Sequence, residues 1–190
     1  MIRFVPALRL LAPSLRHVVC LTALALVVAA APASAKVTPA ETGAFTVVVE
    51  TVVPLSPEAA FDAMTGDISG WWDHSMSDHP RALVLEPRPG GFFLEIFNEN
   101  GDGALHATVI YAKRGERLRF TGPLGLSGHA IDLVVTYDYT AEDGGTRVKV
   151  TCNAAGQMME GWAETVNGVW EHFILERFTP YAEKLAAEGN

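Results

Sequence analysis

The chain has 190 residues, with 14 basic and 22 acidic side chains and a formal net charge of −8 at pH 7. This acidic balance argues against nucleic acid and anionic membrane surfaces as partners, because both recruit clusters of Lys and Arg. The length suits a single domain with a core of its own, and no pattern in the sequence defines an oligomeric state.

Residues 1–35 differ in composition from the rest of the chain. They contain three arginines, no acidic residue and an apolar run over 18–31, followed by small residues at Ala33 and Ala35. This order predicts a signal peptide cleaved after Ala35 and export to the periplasm or beyond. The run is shorter than the ~20 residues that span a bilayer, so we expect no stable membrane insertion after cleavage. Cleavage would remove three positive charges and leave only Cys152, which we expect to be a small buried residue.

A linker is predicted over 36–43, and a β-branched segment beginning at Ala44 predicts the first strand. Ser56 followed by Pro57 and Glu58 indicates the start of one or two short helices, because a hydroxyl caps the first turn and proline is tolerated there. Six more strand-like segments follow, separated by turn pairs such as Gly144-Gly145.

The chain closes with an apolar stripe at helical spacing. Its members are Met159, Trp162, Val166, Val169, Trp170 and Phe173. Together these elements predict an α+β fold, in which a curved antiparallel sheet of about seven strands wraps on a long C-terminal helix.

The chain also resembles a known family. The motifs are GWW (70–72), PGGFFLE (89–95), GERLRFTG (115–122), GGTRVKVT (144–151) and EGWAE (160–164). With this order of elements, residues 44–187 resemble the SRPBCC, or START-like, helix-grip superfamily, and within it the homologues of the heat-shock-protein-90 ATPase activator. The resemblance implies an apolar cavity between sheet and helix. The superfamily includes lipid carriers, polyketide cyclases and hormone receptors, so the resemblance specifies the fold better than the function.

Alternation along the strands fits such a cavity. In the segment 130–140, Ile131, Leu133, Val135, Tyr137 and Tyr139 alternate with polar residues and are predicted to face inward. The predicted ligand-binding residues are Trp71, Trp72, Phe93, Glu95, Phe97, His106, Phe120, Tyr137, Tyr139, Trp162 and Trp170. Because pockets are mostly apolar with few polar groups, this set indicates a small apolar or aromatic ligand.

Glu95 interrupts an otherwise apolar strand, and two orientations are open. The hydrophobic pattern favours Phe92, Leu94 and Ile96 inward with Glu95 in solvent. The family resemblance implies the opposite face, with Phe93, Glu95 and Phe97 in the cavity.

The turn after this strand decides whether Glu95 has a partner. A two-residue hairpin turn at Asn100-Gly101 would place Glu95 directly opposite His106 and create a buried carboxylate-imidazole pair. A turn centred on Asp102-Gly103 would shift the register and break the pair.

The loop GWWDHSMSDHP (70–80) joins two tryptophans to two Asp-His pairs. Its spacing matches no zinc motif, so no metal site is predicted, and no nucleophile context accompanies Ser75 or Ser77. We interpret it as a cavity rim in which Trp71 or Trp72 turns inward and the Asp and His side chains face water. His129 and His172 are predicted to lie at the surface.

Three functional hypotheses follow. The first is an exported domain that binds a small hydrophobic or aromatic molecule. The second is an enzyme of the cyclase or hydratase type that uses Glu95 and His106 as an acid-base pair. The third is a co-chaperone-like interaction domain, which export would separate from a cytosolic ATP-dependent partner. Since no phosphate-binding glycine loop or redox motif is present, no cofactor is predicted.

Overall fold

An eight-stranded antiparallel sheet in the order β1-β8-β7-β6-β5-β4-β3-β2 dominates the computed structural model, which describes residues 37–189. The predicted signal peptide, with its cleavage position, lies outside the described residues. The strands are β1 (Thr42–Val53), β2 (Gly66–Asp67), β3 (Ala82–Leu85), β4 (Phe92–Ile96), β5 (Gly103–Lys113), β6 (Arg117–Gly122), β7 (Ile131–Glu142) and β8 (Gly145–Gln157).

Helices cover one face of this sheet. Helix α1 (Pro57–Ala63) starts at the predicted position, where the Ser56 hydroxyl accepts a hydrogen bond from the amide of Ala59 at 3.2 Å. The long C-terminal helix consists of α2 (Trp162–Glu171), a π-helical segment (His172–Phe178) and α3 (Thr179–Glu188). Among the residues that the structure describes, no helix is long and apolar enough to cross a membrane.

The predicted fold class is confirmed: the protein is α+β, with a curved antiparallel meander wrapped on a C-terminal helix, the helix-grip arrangement. Three details differ from the prediction. The very short β2 raises the strand count to eight, β1 begins at Thr42 inside the segment predicted as a linker, and the helix begins at Trp162, which leaves Met159 exposed outside it.

The alternation predicted for the inner face is also confirmed. Ile131, Leu133, Val135, Tyr137 and Tyr139 are all buried, and so is Cys152 on the neighbouring strand β8. Their side chains point towards the C-terminal helix because successive residues of a strand face opposite sides of the sheet. The core therefore lies between the concave face of the sheet and the helices.

Candidate functional site

The hairpin of β4 and β5 carries the polar residues of the site. Its loop is longer than the predicted Asn100-Gly101 turn: Phe97 donates its amide to the carbonyl of Asp102 at 2.8 Å, and Glu95 faces Ala104 across the ladder. This register is neither of the two that the sequence left open, the Asn100-Gly101 turn and the turn centred on Asp102-Gly103. A β-bulge between Phe93 and Leu94 nevertheless leaves His106 without a directly opposite residue, and both His106 and its neighbour Ala107 are buried. The bulge turns the imidazole inward.

Glu95 faces the interior, as the family resemblance implied. Only 1% of the residue is exposed, and one carboxylate oxygen, Oε2, lies 3.0 Å from Nε2 of His106. The predicted pair thus forms diagonally across the ladder rather than between directly opposite residues. A buried carboxylate without partners is costly, so this contact removes part of the desolvation penalty.

Two backbone amides of the loop 70–80 complete the hydrogen bonding of Glu95. Met76 donates its amide to Oε2 and Ser77 donates its amide to Oε1, each at 2.9 Å. Both oxygens of the carboxylate therefore accept from the loop, and Oε2 also contacts the imidazole. Since a backbone amide can only donate, the site needs two acceptor oxygens at this position. Glu95 fixes the loop over the concave face of the sheet.

An apolar cavity of about 290 Å³ lies beneath this loop. Four elements line it. They contribute Trp72, His74, Ser75 and Met76 from the loop; Phe93, His106 and Leu133 from the sheet; Leu124, Gly125 and Leu126 from a 3₁₀ turn; and Thr165, Val166, Val169, Trp170 and Phe173 from the C-terminal helix. Of the described residues, none of those lining the cavity is Lys, Arg, Asp or Glu.

Aromatic rings form the inner wall of the cavity. The ring of Trp72 stacks on Phe173 with centroids 3.8 Å apart, and it contacts Phe93 edge-on at 5.0 Å. The indole of Trp72 donates to the carbonyl of His74 at 2.8 Å, which satisfies its polar atom. His106 lies 5.0 Å from Phe93, centroid to centroid. His106 lines the cavity, and no hydrogen bond involves its Nδ1 within residues 37–189.

The predicted ligand-binding residues fall into three groups. Trp72, Phe93, His106 and Trp170 line the cavity, and Glu95 lies directly behind His106. Trp71, Phe120, Tyr137 and Tyr139 are buried in the core away from the cavity wall. Phe97 and Trp162 are half-buried and also lie outside the wall, because β4 ends at Ile96 and the indole of Trp162 packs on His129.

Three buried titratable groups belong to this core. Burial raises the pKa of the Tyr137 phenol and of the Tyr139 phenol, and it raises the pKa of the Cys152 thiol to about 11. The hydroxyl of Tyr139 donates to the sulfur of Met64 at 3.4 Å, whereas that of Tyr137 has no partner among the described residues. These groups stay protonated at neutral pH and contribute packing.

The 3₁₀ turn Leu124–Leu126 was not predicted as part of the site. Its residues lie in the connection between β6 and β7, where sequence patterns indicate only a loop. The sequence feature that could have indicated it is the pair of leucines, Leu124 and Leu126, in a connection whose other residues are mostly small or polar. Leu124 is buried and Gly125 is exposed, so the turn forms one lip of the cavity.

The loop 70–80 forms the rim, with both tryptophans buried. Trp71 donates its indole to the carbonyl of Ala63 at 3.1 Å and packs on Phe178, while Trp72 faces the cavity. Asp73 and His74 are exposed, as predicted. His172, predicted at the surface, is partly exposed, and its Nε2 contacts both carboxylate oxygens of Asp73 at 3.0 Å.

Known proteins share the fold of this chain. No family model matches it, and no curated protein matches it. Solved structures do match. An uncharacterised protein from Rhizobium leguminosarum is 17% identical, and the match covers 77% of this chain and 99% of that one with a TM-score of 0.57. A protein from Mesorhizobium loti is 20% identical, and the match covers 77% of this chain and 99% of that one with a TM-score of 0.53. A protein from Chromobacterium violaceum is 17% identical, and the match covers 73% of this chain and 96% of that one with a TM-score of 0.54. At these identities the similarity shows the fold alone.

Proposed function

We propose that the protein binds a small, uncharged apolar or aromatic molecule in the cavity under the loop 70–80. The observation that carries this proposal is the composition of the cavity wall. Aromatic and aliphatic side chains surround a cavity of about 290 Å³, and few polar atoms reach it. Ligand pockets typically combine an apolar lining with a small number of placed polar groups. His106, with its orientation held by Glu95, supplies such a group at the inner end.

The absence of charged side chains from the described wall defines the ligand class. A buried anion needs a cationic partner or several hydrogen-bond donors, and the wall offers mainly hydrocarbon. The acidic net charge of the chain adds a repulsive long-range field for anions. A neutral ring system that offers one hydrogen-bonding group to His106 fits these constraints.

Two fluorescent probes with the same aromatic body test this proposal. N-phenyl-1-naphthylamine is neutral, whereas 8-anilinonaphthalene-1-sulfonate carries an added sulfonate. We expect the neutral probe to bind at least about tenfold more tightly, a difference of about 1.4 kcal/mol. No binding of either probe would contradict the cavity proposal. Equal binding of both would contradict only the preference for uncharged ligands.

A blocking variant locates the probe. Val169 lies on α2 at the cavity wall, so Val169→Trp should fill the space and abolish probe binding. Leu175→Trp is the matched control, because Leu175 lies on the same long helix but is exposed on its outer side. Retained binding in Val169→Trp, or equal loss in both variants, would place the probe elsewhere.

An acid-base enzyme is the second candidate, favoured by the contact of 3.0 Å between Glu95 and His106. Because both carboxylate oxygens also hold the loop amides, Glu95 would orient the imidazole, and Nδ1 of His106 would exchange the proton. Native mass spectrometry of protein purified from its host would identify a retained ligand. Conversion of that molecule by the wild type and not by His106→Asn would support the enzyme, and its unchanged release would support a carrier.

We also propose that the protein is exported, which rests on the charge and size pattern of residues 1–35. Amino-terminal sequencing of the secreted protein should start Lys-Val-Thr-Pro. A full-length cytoplasmic product would contradict export. That result would also favour the third proposal, a co-chaperone-like role that follows from the resemblance to the ATPase-activator homologues.

A further inference from the structure

A second cluster of polar side chains lies at the mouth of the cavity. Asp73 and His74 come from the loop 70–80, and His172 is the first residue of the π-helical segment. Oδ1 of Asp73 lies 3.0 Å from Nδ1 of His74 and 3.0 Å from Nε2 of His172. The donor atoms of the three residues all lie within 4.8 Å of one another. Two imidazole nitrogens and one carboxylate oxygen therefore converge.

The neighbours of the cluster fix the orientation of its donors. Nδ1 of His172 lies 2.9 Å from a carboxylate oxygen of Glu176, and Nε of Arg177 lies 3.0 Å from Oδ2 of Asp73. Metal-binding histidines usually direct their second nitrogen to a carboxylate, which sets the tautomer and the ring orientation. Here Glu176 has that position, and Arg177 contacts Oδ2 of Asp73, whereas Oδ1 is the oxygen that both imidazoles of the cluster approach.

We propose that Asp73 Oδ1, His74 Nδ1 and His172 Nε2 form a binding site for a divalent transition-metal ion of the zinc class. Imidazole donors favour zinc, copper, nickel and iron, whereas magnesium and calcium take oxygen ligands. Three protein ligands leave a further coordination position open to solvent or to a molecule in the cavity mouth, because His74 also lines the cavity. The site is separate from the Glu95–His106 pair.

The sequence did not reveal this site because its ligands are distant along the chain. Positions 73 and 74 are adjacent, but the third ligand comes from position 172 and meets them only after the C-terminal helix packs on the sheet. The competing explanation is a plain hydrogen-bonded contact, in which His172 donates to Asp73 and Glu176 and no metal binds. The two explanations differ in their response to added zinc.

Isothermal titration of the purified protein with Zn²⁺ and Mg²⁺ distinguishes them. We expect one Zn²⁺ per chain and no binding of Mg²⁺. His172→Gln and His74→Gln should each weaken zinc binding by at least about a hundredfold, and Glu176→Gln by about tenfold to a hundredfold. His79→Gln is the matched control, because His79 lies exposed in the same loop outside the cluster. It should bind zinc as the wild type does.

Cobalt substitution gives a readout that does not depend on affinity alone. Co²⁺ bound by two imidazoles and a carboxylate should show visible absorption bands, and these should vanish in His172→Gln while circular dichroism confirms an intact fold. Absence of zinc binding, or zinc binding unchanged in His172→Gln and His74→Gln, would overturn the proposal. An equal loss in His79→Gln would assign the zinc to nonspecific surface histidines and would also overturn it.

Discussion

The two ends of the space between sheet and helix differ in how they are filled. At the packed end, defined by Phe61, Met64, Tyr139 and Phe178, every side chain is buried in continuous core. At the hollow end, defined by the residues that line the cavity, the same sheet face borders about 290 Å³ of space. Strand β7 contributes to both, since Leu133 lines the cavity and Tyr139 lies at the packed end.

The difference comes from what covers each end. Helix α1 covers the packed end with side chains, and the ring of Phe61 lies 5.5 Å from that of Tyr139. The hollow end is covered by the loop 70–80 and the C-terminal helix, and Glu95 holds the loop in place through the amides of Met76 and Ser77. A loop that is fixed by hydrogen bonds can keep its position although its side chains do not fill all the space beneath it. Polar anchoring at the edge is therefore what allows an apolar void to persist.

The largest expected effect is on stability, when a buried phenylalanine is truncated to alanine at each end. Phe61→Ala at the packed end should cost about 3–5 kcal/mol of unfolding free energy, as for other buried rings. Phe173→Ala should cost about 1–2 kcal/mol less, because part of that side chain borders the cavity instead of packed atoms. Urea denaturation measures both values.

Both phenylalanines are 2% exposed, so burial alone predicts equal costs. Equal losses would show that the hollow end is as tightly packed in solution as the other end. The affinity for the neutral probe should change in Phe173→Ala, because Phe173 lines the cavity. It should stay as in the wild type in any Phe61→Ala protein that remains folded.

Glu95→Gln should have the next largest effect. The amide group of Gln supplies one acceptor oxygen in place of two, so one of the loop amides loses its partner. We expect a loss of about 2–4 kcal/mol, since unsatisfied buried donors and disrupted buried pairs cost this much. Amide hydrogen exchange at Met76 and Ser77 should accelerate.

Glu99→Gln is the control for this change, because the Glu99 carboxylate is exposed and forms a surface ion pair with Arg81. Its expected cost is below about 1 kcal/mol. If Glu95→Gln were equally mild and left exchange at Met76 and Ser77 slow, the loop would not depend on the carboxylate.

Ser56→Ala should cause the smallest loss of unfolding free energy, and it affects the packed end alone. The Ser56 hydroxyl caps the seven-residue helix α1, so its removal should cost about 1 kcal/mol. Probe binding at the hollow end should remain unchanged, because α1 does not line the cavity. A parallel loss of probe affinity would indicate that the two ends are coupled. Fluorescence titration and urea denaturation of one preparation measure both quantities.

Local chemistry made much of the fold predictable. Alternation identified the inner face of β7, and the Ser56-Pro57 pair located the start of α1. The site was harder to predict from the sequence, because its geometry depends on a β-bulge that no residue pattern indicates. The bulge brings His106 to Glu95 in a register that neither of the turns considered from the sequence would give. The contact of His172 with Asp73 depends on the docked helix and is invisible to local patterns.

The pairing of β1 with β8 has a consequence for biosynthesis. Val53 pairs with Thr146 and Thr42 with Gln157, so among the strands of residues 37–189 the first to be synthesised pairs with the last. Such non-local pairing folds slowly, and a β-branched segment left unpaired is prone to aggregate. Glu50 places a charge in the second half of β1, where it later meets Arg147 and Lys149. In the nascent chain that charge would act as a gatekeeper against premature self-association.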